Sequence, residues 1–284
     1  MTGLRDRLQG RAGRWADLAP RLGSGLAILV LGVLLLLAPP HLAAMGISVL
    51  YGALIWELLR LTAPSAKTGD LPAPAPTVAG AQGALLTAAA AAISMELWLL
   101  MGGVFGLLPF AALGFGLMWA APRFRLAYLG QGVMTTLGAA GLGWIMGHQG
   151  LATALWIVAV VVLSDVLGYF VGRIMGGPKF WPAVSPKKTW SGTAAGWIGA
   201  AALGVVLALS GRAGLGAIVI GPLLAFGGQM GDIAESWIKR RAGVKDSSTI
   251  IPGHGGLMDR FDAMGGALAM AFLLALGGLL PVVG

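Results

Sequence analysis

An all-α integral membrane protein, a polytopic helix bundle in a single domain of 284 residues, is the fold class that this sequence predicts. Three observations lead there. Hydrophobic residues make up 57% of the chain and charged ones only 11%, where a soluble domain carries about 25% charged. Too little polar side chain remains to cover a water-facing surface. Nine apolar stretches approach the roughly 20 residues that a bilayer core requires. The basic residues then alternate between the intervening segments as the positive-inside rule demands.

Taken in order, residues 1–21 place Leu4, Leu8, Trp15, Leu18 and Leu22 at helical spacing, with arginines on other faces. That pattern suits a helix lying in the membrane interface. A cleavable signal peptide is the rival, although the polar lead is long for one. The expected spans are 22–38, 42–60, 83–100, 103–121, 126–146, 150–172, 192–210, 214–231 and 262–282. "MGGVFG" gives only a thin hairpin between the third and fourth. The Pro/Ala-rich stretch 62–82 reads as a linker.

With the N-terminus in the cytoplasm, every Lys and Arg except Arg212 falls in a cytoplasmic segment, out of nineteen in the chain. A missed span would invert all later loops and spoil that alternation. The net charge of +8 therefore reads as anchoring to anionic lipid. No basic stripe with interleaved aromatics points to nucleic acid. The chain has no cysteine, which excludes disulfides, thiolate metal sites and cysteine nucleophiles.

Acidic residues are scarce, and their placement carries the functional argument. Asp6, Asp17 and Asp70 sit in polar segments. The other eight lie in or beside apolar spans or in "GDIAESWIKRRAGVKDSSTIIPGHGGLMDRFDAMGG", residues 231–266. A carboxylate at the bilayer centre costs at least ~2.5 kcal/mol and is usually paired or functional. Asp232, Glu235, Ser236 and Lys239 stand at i, i+3, i+4 and i+7 on a helix leaving the membrane, and so share one face. Asp259 and Asp262 share a face at the start of the last span. The intervening "GVKDSSTIIPGHGG" holds too many breakers to be a helix and must fold back.

Carboxylates suit a hard cation such as Mg²⁺, and Lys239, Arg240, Arg241, Lys245 and Arg260 suit phosphates. Together they are the parts for phosphoryl or nucleotidyl transfer. Gly253, Gly255 and Gly256 allow backbone amides to approach a phosphate, and His254 could bind one or act as a base. A juxtamembrane salt-bridge cluster is the plainer reading, disfavoured by the two acid pairs at helical spacing.

A second cluster covers 163–196. Asp165 lies two turns before the cytoplasmic end of the sixth span. In "SPKKTWSG", Ser185 or the Pro186 break is expected to begin a capped helix, with Lys187, Lys188 and Thr189 at an anion-favouring N-terminus. Ordinary cytoplasmic anchoring is the alternative. Glu57 reads as pairing with Arg60 at a membrane edge, and Glu96 as facing the bundle interior; neither is expected to be catalytic.

The quoted stretch resembles the phosphatidate cytidylyltransferase (CDP-diacylglycerol synthase) family. The resemblance rests on Ser236, Lys239–Arg240, Lys245–Asp246, His254–Gly255–Gly256 and Asp259–Arg260–x–Asp262, with matching spacing over 27 residues. Asp165, Gly168–Tyr169 and Ser185–Pro186–x–Lys188–Thr189 look like that family's second motif. One departure is Ser191 ahead of Gly192, where the family usually has Glu. The likeness is concentrated in 160–266; residues 1–150 agree only as generic membrane helices.

The resemblance implies transfer of a cytidylyl group from CTP to phosphatidate in a bacterial cytoplasmic membrane. It further implies Mg²⁺ held by Asp232 and Asp259, an accompanying K⁺, and a homodimer. On that reading Lys239, Arg240, Lys245 and Arg260 hold phosphates. Asp246 and Asp262 orient those cations or complete the metal shell, and Lys187, Lys188 and Thr189 cover the nucleotide or lipid phosphate. Ser185, Asp165, Ser236, His254, Gly255 and Gly256 complete the substrate site, His254 as a binder because the attacking phosphate is already mostly ionised near pH 7. A CTP-dependent lipid kinase of related fold and an ion-coupled transporter are the alternatives. The transporter is disfavoured because the acids gather at one membrane surface rather than at the midplane.

Overall fold

The computed structural model describes residues 18–62, 78–120, 124–251 and 255–284. Most of the reading of residues 1–21 and most of the linker lie outside the described residues, as do Gly253 and His254. Nine α-helices occupy the described residues, one for each expected apolar stretch. They are α1 Leu18–Leu37, α2 Pro40–Thr62, α3 Val78–Met101, α4 Leu108–Ala120, α5 Arg125–His148, α6 Leu151–Met175, α7 Trp190–Leu209, α8 Gly216–Ala242 and α9 Met258–Leu276. The thin connection between α3 and α4 is a short 3₁₀ turn, Gly103–Leu107.

The all-α expectation needs one correction. Between α6 and α7 the chain forms an antiparallel hairpin, β1 Lys179–Trp181 and β2 Ser185–Thr189, with Lys179 opposite Thr189 and Trp181 opposite Ser185. Pro178, Pro182 and Pro186 deny this segment a helix, while Phe180, Trp181, Val184 and Thr189 suit extended backbone. The helix therefore does not begin at Ser185 or Pro186. Thr189 is the N-cap: its backbone is extended, and its side chain accepts from the Gly192 N–H at 3.2 Å.

Among the described residues, five helices are long and apolar enough to cross a membrane: α2, α3 from Ala81, α6, α7 and α8. Shorter apolar helices run over Gly25–Leu37 and Gly103–Met118. The helices outside both groups have visible reasons. In α9 the first five residues include Asp259, Arg260 and Asp262, and α5 is diluted by Gly, Thr and Gln.

Close helix approach is made by small residues. A Cβ added to Gly231 of α8 would stand 2.3 Å from the Asp262 carbonyl oxygen, and one on Gly266 of α9 2.3 Å from the Gly227 carbonyl oxygen. The α8 and α9 backbones can touch only because these positions carry no side chain. The same device joins α6 to α7, where a Cβ on Gly192 would meet the Gly168 carbonyl oxygen at 2.5 Å.

Two apolar cores result. One, among α6–α9, centres on Ile157, Val160, Leu224 and Ala267; the other, mainly among α2–α5, on Tyr51, Ile55, Leu58 and Tyr128. Gln229 ties the first together: it accepts from Trp197 Nε1 at 2.9 Å and donates to Ser164 Oγ and the Thr193 carbonyl. The bundle has two distinct ends. One carries the hairpin, the C-termini of α2 and α8 and the start of α9, joined by polar contacts. At the other, the Gly284 N–H donates to the Arg212 carbonyl at 2.9 Å and the Val283 N–H to Thr153 Oγ1 at 3.0 Å.

Candidate active site

The site is built at the hairpin end, from the last turns of α8 and the first of α9. On α8, Ser236 donates to Asp232 Oδ1 at 3.3 Å and the Lys239 ammonium lies 3.2 Å from Glu235 Oε1, so the expected shared face forms. The helix stops at Gly243, whose left-handed backbone (φ 76°) lets the Gly243 and Val244 N–H groups cap the carbonyls of the last turn. The chain then turns back, and the close contact of Gly231 with Asp262 sets the two acid pairs side by side.

Asp259 is the hub. Its Oδ1 takes the Lys239 ammonium at 2.5 Å. Its Oδ2 accepts from the Ser247 N–H at 2.8 Å, the Ser247 hydroxyl at 3.0 Å and the Gly256 N–H at 2.7 Å. Asp259 precedes the apolar run of α9. Burial alone would raise its carboxyl, but the Lys239 ammonium and the Gly256 and Ser247 amides outweigh burial and hold it below the usual aspartate value. The glycine turn thus aims an amide at a carboxylate of its own chain. Gly255 has φ 84°, and a Cβ there would stand 2.7 Å from Asp259 Oδ2.

The hairpin closes the site from the other side. Its alternation leaves Lys187 exposed and turns Lys188 onto Asp232, with which it forms an ion pair. Asp165 of α6 is close enough to feel both charges. Asp262 likewise lies beside Glu235 and Asp232. Ser191 donates to the Gly176 carbonyl at 2.5 Å and lies 3.0 Å from Thr189 Oγ1, pinning the end of α6 to the start of α7.

Several expected site residues stand further out. Arg240 bonds the Val244 carbonyl at 3.3 Å and serves the helix end, and Lys245 and Asp246 are exposed on the return segment. Lys239 is 8% exposed and neutralises carboxylates. Ser185 is half-buried in β2 and pairs with Trp181.

A cavity of about 570 Å³ opens between α1, α2, α5, α6 and α9. Its walls are mostly apolar, including Leu36, Ile47, Leu54, Met134, Val158 and Val161. Asp165, Asp259, Arg260 and Asp262 line it too. Because α6 ends and α9 begins at the hairpin end, these charges gather at one end of an otherwise oily chamber.

Sequence reasoning missed Glu57 and its serine partners. Glu57 is fully buried and accepts from the Ser247 and Ser248 hydroxyls and from the Leu257 and Met258 N–H groups. The expected pairing with Arg60 is not formed: the Arg60 guanidinium lies over the Trp56 ring, 4.6 Å from its centroid. Glu96 has one carboxylate oxygen buried without a hydrogen-bond partner. The available signal was "DSS" at 246–248, hydroxyls able to donate to acids, but their partner is about 190 residues away.

The sequence model of the Cytidylyltransferase family matches residues 20–276. The chain belongs to that family. Its similarity to individual members is concentrated in part of the sequence. A phosphatidate cytidylyltransferase of Brucella abortus is 42% identical over 139 residues, 48% of this chain and 52% of the relative. Proteins of the same name from Helicobacter pylori and Staphylococcus saprophyticus are 41% and 38% identical over 128 and 141 residues, covering 44% and 49% of this chain and 48% and 52% of the relatives. The matched region spans about half the length of these curated relatives. Membership in the family and a multi-pass membrane architecture agree with the fold and with the charged end of the bundle.

Proposed function

We propose that this protein transfers the cytidylyl group of CTP to phosphatidate, giving CDP-diacylglycerol and pyrophosphate. One observation carries the reading: Asp259, held by Lys239 of α8, lines an apolar cavity together with Asp165, Arg260 and Asp262. The cavity suits acyl chains, and the cluster suits phosphates. A phosphatidate oxygen attacks the α-phosphorus of CTP in line, forming the new P–O bond. The bond from that phosphorus to the bridging oxygen breaks, and pyrophosphate carries away the electron pair. Arg260, which lines the cavity, and Lys188, paired with Asp232, offer positive charge to phosphates, and the exposed Lys187 extends it outward.

Among the described residues no three His, Asp or Glu side chains form a closed metal cage. Asp232 and Asp259 nonetheless present hard oxygen donors beside the buried carboxylate of Glu235, whose Oε1 faces the Lys239 ammonium. Such an open set fits Mg²⁺, which commonly uses one or two carboxylates, waters and substrate phosphates. Asp232 and Asp259 would hold it, sharing oxygens now paired with Lys188 and Lys239. When bound, Mg²⁺ offsets the negative charge developing on the leaving pyrophosphate. A second, monovalent cation such as K⁺ and a homodimer belong to the same proposal.

The proposed topology has nine spans and a cytoplasmic N-terminus in a bacterial inner membrane. It is supported by the basic residues of the hairpin and α8 gathering at one end while Arg212 stands at the other. The test is Asp259→Asn assayed with CTP, phosphatidate and Mg²⁺. We expect a loss of turnover of at least about 100-fold, the scale of removing a transition-state electrostatic contact. Near-normal turnover by folded variant protein refutes the assignment.

A further inference from the structure

Glu57 belongs to the half of the chain that carries none of the motifs, yet it is tied to the segment that does. Its side chain is fully buried on α2. Oε1 accepts from Ser248 Oγ at 2.5 Å and the Leu257 N–H at 2.9 Å. Oε2 accepts from Ser247 Oγ at 3.2 Å and the Met258 N–H at 2.6 Å. These four donors come from one segment, 247–258, which leads into α9.

The chemistry of that arrangement is specific. The first N–H groups of a helix have no intrahelical acceptor. Leu257 holds the N-cap position of α9 but has no side chain able to cap. A carboxylate from another helix takes over that role, and the positive end of the helix dipole favours its charge. Charge-assisted bonds of this kind let a carboxylate be buried without a direct cation partner.

The link continues to Asp259. The Ser247 hydroxyl lies 3.2 Å from Glu57 Oε2 and 3.0 Å from Asp259 Oδ2, so one proton serves two carboxylates. Gly256 completes the wedge. Its N–H donates to Asp259, and a Cβ there would stand 2.7 Å from Glu57 Oε1 and 2.0 Å from Ser247 Oγ. Nothing larger than glycine fits between Glu57 and the turn.

We propose that Glu57 is a positioning residue: it clamps the return segment onto α2 and, through Ser247 and the start of α9, fixes the orientation of the Asp259 carboxylate. Its effect on turnover rests on the cytidylyl-transfer reading; its effect on the segment does not. Glu57→Gln keeps the volume but turns an NH₂ donor toward N–H and O–H donors, so at least one bond is lost. Glu57→Asp keeps the charge on a shorter stem.

The experiment measures two things on full-length protein in detergent. The first is amide hydrogen exchange of residues 247–251 and 255–259. Glu57→Gln is expected to speed it at least about tenfold while the apolar parts of α8 and α9 stay protected, and Glu57→Asp to restore part of the protection. The second is CTP turnover with phosphatidate. Glu57→Gln is expected to lower kcat on the order of 100-fold, the scale of a misplaced reacting group, with KM for CTP changed less than about threefold. Arg60→Ala is expected to leave both measurements near wild type. Unchanged exchange in Glu57→Gln overturns the clamp whatever the activity. Faster exchange with unchanged kcat overturns its role in catalysis. A wild-type protein without cytidylyl transfer defeats the functional reading, and exchange alone then decides the clamp.

Discussion

Lys239 offers the sharpest test of how the charged end of the bundle is held. Its side chain is 8% exposed, and its ammonium lies 2.5 Å from Asp259 Oδ1 and 3.2 Å from Glu235 Oε1. Glu235 is fully buried. Lys239→Met keeps the apolar stem and removes the charge, leaving two neighbouring carboxylates without their shared cation. At an effective dielectric near 20 the two contacts contribute about 7 and about 5 kcal/mol of gross Coulomb attraction, most of it offset by desolvation. Removing one partner of a buried pair costs about 3–5 kcal/mol. On a chain of this size that corresponds to a fall in Tm on the order of 10 °C.

The assay is thermal unfolding in detergent, followed by the fluorescence of the ten tryptophans. Arg241→Met is the control. Arg241 is exposed and stacks over Trp237 at 4.5 Å, so its loss should move stability by about 0.5 kcal/mol. The double variant Lys239→Met with Asp259→Asn should recover part of the loss, because one of the stranded charges is gone. A Lys239→Met protein that unfolds within about 2 °C of wild type would show that Lys239 does not hold these carboxylates.

Two further outcomes follow from packing and capping. Gly231→Leu would drive a side chain into the Asp262 backbone, since even a Cβ would lie 2.3 Å away. It should separate α8 from α9, destabilise by about 1–3 kcal/mol or more and abolish turnover, read by Tm and the CTP assay. Thr189→Ala removes the acceptor for the Gly192 N–H and should cost about 1 kcal/mol, whereas Thr189→Ser should keep most of the stability.

Much of this end of the molecule was legible in the sequence because helical spacing is local information. Asp232, Glu235, Ser236 and Lys239 had to share a face once their segment was helical, and the breakers in 243–256 had to return the chain. The apolar stretches anticipated every helix in order. The hairpin was not legible, because strands of three and five residues give too short a run for period-two alternation to register. Thr189 was read as a ligand rather than a cap because a hydroxyl suits both and only the backbone turn at Trp190 separates them. Glu57 escaped for a different reason. Its partners lie 190–201 positions away, and no local pattern reports a contact of that separation. The nearest basic residue, Arg60, suggested a pairing that the Trp56 ring pre-empts.

The carboxylate and lysine cluster is proposed to serve transfer of the cytidylyl group of CTP to a lipid phosphate. The direct measurement supplies purified protein with phosphatidate, Mg²⁺ and CTP carrying ³²P at either the α or the γ position, and follows the lipid extract. Label is expected in lipid from the α position, with release of pyrophosphate in equal amount, and neither is expected with Asp259→Asn. Lipid labelled from the γ position instead would make the protein a lipid kinase, and no labelled lipid from either position would exclude both transfers.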